Sequence, residues 1–89
     1  MYQITIWDLK LSESDIKVKI AINNLKHNIV QHRKRLGLTQ QELANLLNIT
    51  RTSVSGYERG DRVPYNDILI KLSLIFDITI DSLYKNYSA

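Results

Sequence analysis

Within five residues, Arg51, Thr52 and Ser55 present a forked cation, a hydroxyl beside a methyl, and a second hydroxyl. These groups suit the edges of DNA bases: a guanidinium bridges guanine O6 and N7, and threonine sets a methyl against thymine or donates a hydrogen bond. Eleven residues before Arg51, Gln40 offers an amide that can join helix N–H groups around a phosphate. Lys34, Arg35, Arg59 and Arg62 add charges suited to a phosphate backbone, with solubility as the plain alternative for each. Other chemistry finds little support. Asp61, Asp67, Asp77 and Asp81 have no matching base or nucleophile cluster, and there is no phosphate-cradling glycine loop. Cysteine is absent, and His27 and His32 alone do not make a zinc site. The expectation is no enzyme, no metal and no cofactor.

The elements that must position these groups run from Leu36 to Gly60. Thr39 is placed as an N-cap with Glu42 three residues on, the pattern of a capping box, and Leu43, Ala44, Leu46 and Leu47 supply an apolar face. Asn48 and Ile49 turn the chain. Thr50 caps a second helix, spanning 50–58, whose Val54 and Tyr57 point inward and leave Arg51, Thr52, Ser55 and Gly56 outside. Two short helices joined by a tight turn form a helix-turn-helix, with the second placed to enter a major groove. Gly56 adds no reading side chain and lowers helix propensity by roughly 1 kcal/mol relative to alanine, so close backbone approach or packing must account for it.

Leu-Gly-Leu-Thr-Gln-Gln-Glu-Leu-Ala at 36–44 and Val-Ser-Gly-Tyr-Glu-Arg-Gly at 54–60 resemble the entry and exit of the Cro and phage-repressor type of helix-turn-helix. The resemblance covers roughly residues 24–84 and includes a closing Asp77-Ile78-Thr79-Ile80-Asp81-Ser82-Leu83, where Asp77 replaces the usual glycine. It implies a mainly α, five-helix, lambda-repressor-like DNA-binding domain. It also implies a phosphate contact for Gln40, a structural ion pair between Arg33 and Glu58, and a dimer contact near Ile80, Leu83 and Tyr84.

The flanking sequence completes the expected domain. Asn23 or Asn24 is placed to cap the first helix, whose Leu25, Ile29, Val30, Arg33 and Leu36 share a face until Gly37 stops it. Pro64 can open a fourth helix with Ile68, Leu69, Leu72, Ile75 and Phe76 as its buried stripe, and Thr79 caps a short fifth. The first 23 residues read differently. Tyr2, Ile4 and Ile6, then Ile16, Val18, Ile20 and Ile22, alternate with other residues at strand period, which predicts an N-terminal β-hairpin extension over 1–23 before a domain at 24–89. A competing reading starts a helix at Ser12 with Asp15 as its capping partner and runs it into the next segment. Tyr2 and Trp7 could stack on bases, although aromatics on a strand more often fill a core.

The 89 residues carry a formal net charge of +3. Residues 25–62 hold seven basic against three acidic side chains, so positive charge gathers where the motif lies. The start lacks a signal-peptide pattern and no segment reaches the ~20 apolar residues of a membrane span, so a cytoplasmic protein without a membrane partner is expected. Together these features point to a sequence-specific transcriptional regulator, a dimeric repressor on double-stranded DNA. The alternative is a protein-interaction module of the same fold, an antitoxin or antirepressor with a regulatory protein partner. A hairpin is marginal alone, so the N-terminal segment is also expected to help form the homodimer.

Overall fold

Neither glycine nor proline occurs before Gly37, and the first helix uses nearly all of that stretch. The computed structural model describes residues 3–86, with side chains from residue 12 onward. Helix α1 spans Gln3–Arg35, followed by α2 (Gln40–Leu47), α3 (Arg51–Arg59), α4 (Asn66–Phe76) and α5 (Ile80–Leu83). No strand occurs among the described residues, so the N-terminal hairpin is replaced by helix. Tyr2 and the side chain of Trp7 lie outside the described residues.

The physical reason for the correction lies at the other end of α1. Leu25 and Ile29 are buried against the body, and once packing has fixed those turns each further residue adds a hydrogen bond without a new nucleation penalty. Nothing before Gly37 breaks that propagation. The period-two pattern also buries no strand face: Ile16, Val18 and Ile20 are 56, 56 and 55% exposed. Asn23 and Asn24 therefore sit inside α1 instead of capping it, and α1 runs through the expected 23/24 boundary.

The core is formed by Leu25 and Ile29 of α1, Leu43, Ala44 and Leu47 of α2, Val54 and Tyr57 of α3, Ile68, Leu69, Leu72 and Phe76 of α4, and Leu83 of α5. Leu46 and Leu36 are exposed instead of inward, and Ile75 packs at the edge of this core. Two asparagines close α1 onto the chain's other end. Asn28, itself buried, donates from Nδ2 to the Leu83 and Lys85 carbonyls at 2.7 and 2.8 Å, and Asn24 Nδ2 donates to the Tyr84 carbonyl at 3.0 Å. These bonds satisfy carbonyls that a four-residue helix leaves without intrahelical donors.

Four turns depend on left-handed backbone, one of them the Asn48 turn between α2 and α3. Gly37 and Gly60 take φ of 71° and 83° after α1 and α3, where glycine meets no Cβ penalty. Asp77 adopts φ 56° as the C-cap of α4, a left-handed conformation that glycine adopts without a Cβ penalty. The α4 stripe otherwise follows its sequence period, while Pro64 lies in the preceding loop and α4 begins two residues later.

Candidate nucleic-acid interface

Thr39 and Thr50 fix where the two motif helices begin. The Thr39 hydroxyl accepts from the Glu42 N–H at 3.0 Å while Glu42 Oε1 accepts from the Thr39 N–H at 2.8 Å, completing the capping box. Thr50 Oγ1 accepts from the Ser53 N–H at 3.1 Å. Between them Asn48 takes φ 58° and ψ 45°, and the Ile49 N–H returns to the Ala44 carbonyl at 3.0 Å. Gln40 and Arg51 thereby become the first residues of α2 and α3.

These first residues touch each other and are tied to the interior. Arg51 Nη1 donates to Gln40 Oε1 at 3.4 Å, and Gln40 Nε2 donates to Glu58 Oε1 at 3.0 Å. Glu58 in turn receives both forks of Arg33, Nε at 2.6 Å and Nη2 at 3.1 Å, while Arg33 Nη1 reaches the Leu38 carbonyl at 2.8 Å. The pair is well shielded, with side-chain exposures of 13 and 7%. A bidentate geometry with the remaining donors and acceptors engaged is what such burial requires. It joins α1, the entry to α2 and the end of α3, and its hydrogen-bond chain ends on exposed Arg51.

The second half of α3 organises another group of cations. Arg59 donates from Nη1 to Ser55 Oγ and from Nε to Asp61 Oδ2, the latter at 2.7 Å. Arg62 Nη1 donates to Ser53 Oγ at 3.0 Å and its stem lies over Gly56. A Cβ at position 56 would stand 3.1 Å from both Cγ and Cδ of Arg62, so the glycine makes room for a side chain that returns from the following loop. Burial holds the Tyr57 phenol above its ordinary pKa, with neighbouring Arg62 opposing that shift.

The expected contact residues therefore separate. Arg51 and Thr52 are exposed at the start of α3, whereas Ser55 is half-buried and holds Arg59. Lys34 is exposed near the end of α1. Arg35 is drawn to the end of α4, where Nη2 donates to the Phe76 carbonyl at 2.8 Å and Nε to His32 Nδ1 at 3.2 Å. His32 stacks on Phe76 with ring centroids 5.3 Å apart; burial and then the Arg35 charge hold its pKa below the ordinary value. Sequence reasoning missed the Ser53–Arg62 bond and the packing of Lys26 against Gly60, because both join residues that share no local pattern. Leu83 is fully buried within its own chain, while Ile80 next to it is exposed.

No helix among the described residues is long and apolar enough to cross a membrane. A helix-turn-helix family model matches residues 29–83. The chain is 43% identical over 61 residues to the uncharacterized HTH-type transcriptional regulator YqaE of Bacillus subtilis, covering 68% of this chain and 53% of that protein. It is 38% identical over 60 residues to the HTH-type transcriptional regulator ImmR of Bacillus subtilis, with coverages of 67 and 47%. The cryptic phage CTXphi transcriptional repressor RstR of Vibrio cholerae is 32% identical over 59 residues, with coverages of 66 and 53%. The chain thus spans about half the length of these curated relatives. Among solved structures, the restriction-modification controller protein C.AhdI of Aeromonas hydrophila superposes with a TM-score of 0.65 and 30% identity, covering 71% of this chain and 96% of that one. The N-terminal DNA binding domain of SinR from Bacillus subtilis gives 0.67 and 25%, with coverages of 75 and 99%. The family match takes in both capped helices and the elements that follow them to Leu83, and on these grounds the chain belongs to the helix-turn-helix family of Cro and phage-repressor type.

Proposed function

We infer that the chain binds double-stranded DNA with α3 in the major groove and regulates transcription as a dimeric repressor. The observation that carries this reading is the placement of Arg51 and Thr52, exposed on the first turn of α3, with Arg51 steadied by Gln40. Recognition helices use their N-terminal residues to reach base edges. Ser55 joins this reading face, while Gln40, Lys34, Arg59 and Arg62 supply phosphate contacts. Arg35 is left out of that set because its guanidinium is engaged at the α4 terminus. The relatives' names, a repressor and transcriptional regulators, support the regulatory role. Residues 24–86 form the reading body, and the preceding turns of α1 extend from it. A DNA partner places the action in the cytoplasm.

Selection of bound duplexes from a random pool tests this directly. The expected product is a two-fold consensus whose half-sites lie about 10 base pairs apart, or a multiple of that spacing. Recovery of no preferred sequence at low salt overturns specific reading and favours the protein-interaction module.

A further inference from the structure

Among the described residues, none covers the side of α1 that bears Ile16 and Ile20. Every residue from 12 to 20 is exposed, and Ile16 and Ile20, four apart, project on one line with exposed Ser12, Asn23 and His27. At 100° per residue, Glu13 and Lys17 fall on one edge of that line and Asp15 and Lys19 on the other. Ion pairs among the described residues join Arg33 to Glu58 and Arg59 to Asp61, and neither involves these four charges. Lys19 also shares a shallow depression with Lys26 and Arg59, a cationic setting that favours a carboxylate brought from outside.

The order of charges selects the occupant. Within the exposed stretch 12–20 of α1, two carboxylates precede Ile16 and two ammonium groups follow it. A parallel copy would set like charges level with each other. A copy turned end for end about Ile16 sets Glu13 beside Lys17 of the other copy on one edge, and Asp15 beside Lys19 of the other copy on the second. Each pair is offset by two residues, about 3 Å along the helix, which a lysine side chain spans. Ile16 meets its own counterpart on the axis, and Ile20 covers Ser12 of the other copy. A two-fold interface must be self-complementary in this way. We propose that the occupant is a second copy of this chain, its α1 packed antiparallel with the two-fold axis at Ile16. This names the contact between the two copies in the regulatory reading above.

Cysteine crosslinking of the full chain, without DNA, tests the contact separately from DNA binding. The chain has no native cysteine, and each position used is exposed. Ile16→Cys brings its thiols together at the axis, within the ~5.5 Å Cα separation that disulfides favour, so oxidation should yield a covalent dimer. Ile20→Cys puts the paired positions eight residues apart, about 12 Å along the axis, and should stay single. Mixed Ser12→Cys and Ile20→Cys chains should link to each other, while Val18→Cys, on the opposite side of α1, should not link. In sedimentation, Lys17→Glu with Lys19→Glu should raise the dimer dissociation constant at least tenfold, and mixing with Glu13→Lys plus Asp15→Lys chains should restore pairing. Equal linking at positions 16 and 20, linking at 18 but not 16, or no linking with a monomeric native chain overturns the proposal.

Discussion

Gln40 and Arg51 hold the same place, each the first residue of its helix, yet their environments give them different work. Glu58 already accepts from Arg33, and a carboxylate can only accept, so Gln40 must turn Nε2 toward it and leave Oε1 for Arg51. Arg51 keeps its remaining donors outward. Replacing Arg51 with alanine is expected to weaken specific binding by about 1–3 kcal/mol and relax preference at one base pair per half-site. Titrations on specific and scrambled duplexes check this; equal loss on both would make Arg51 a phosphate contact. Gln40→Ala should instead weaken all duplexes comparably, because a backbone contact positions without reading. A shifted consensus at unchanged nonspecific affinity would contradict that assignment.

At the level of elements, the caps were legible because they are local: Thr39, Glu42, Thr50 and Thr79 act on N–H groups three residues away. Asp77 shows the same locality with a less suitable residue. Its left-handed backbone and its carboxylate at the negative end of the α4 dipole are both unfavourable, so Asp77→Gly is expected to stabilise the fold by about 0.5–1 kcal/mol. Urea unfolding measures the change, and a loss of stability would show that the Asp77 side chain makes a compensating contact. The Arg33–Glu58 pair joins elements 25 residues apart. Arg33→Ala leaves Glu58 shielded without its cation and should cost about 3–5 kcal/mol. A fall below about 1 kcal/mol in thermal or denaturant melts would mean that water reaches the carboxylate.

Across the whole molecule, the end of α1 meets the end of α4 through His32, Arg35 and Phe76. Burial disfavours the charged imidazolium of His32, and protonation would also place a second charge beside Arg35 and abolish the acceptor at Nδ1, so its folded pKa lies below the ordinary 6.5. Below that ordinary value the unfolded chain binds the proton more readily, and this contribution to stability is complete above about pH 6.5. It declines as pH falls through 6.5 and levels off once the folded-state pKa is passed. Melting curves from pH 8 to 5 should therefore be steeper in pH for the native chain than for His32→Gln; parallel profiles would remove His32 from the acid response.

The helix-turn-helix, its caps and most of the apolar faces of α2 to α4 were legible in the sequence alone, as was the placing of Arg51 and Thr52 on the outer side of α3, because each follows from spacing within one or two turns; Leu46, expected inward, is exposed. Sequence reasoning mistook residues 3–22, where alternation of Ile16, Val18, Ile20 and Ile22 signals a strand only if one side is covered. Tertiary structure decided that segment: Leu25 and Ile29 anchor the later turns of α1, and helix propagates back through a stretch free of glycine and proline. It also decided what the exposed cations are tied to. Arg62 folds back over Gly56 from the following loop, while Arg35 turns to a carbonyl of α4 and Asn28 closes on carbonyls of α5 and beyond, the last two across long separations in chain. Such choices depend on which backbone groups folding leaves without donors or space, and local sequence carries no record of that.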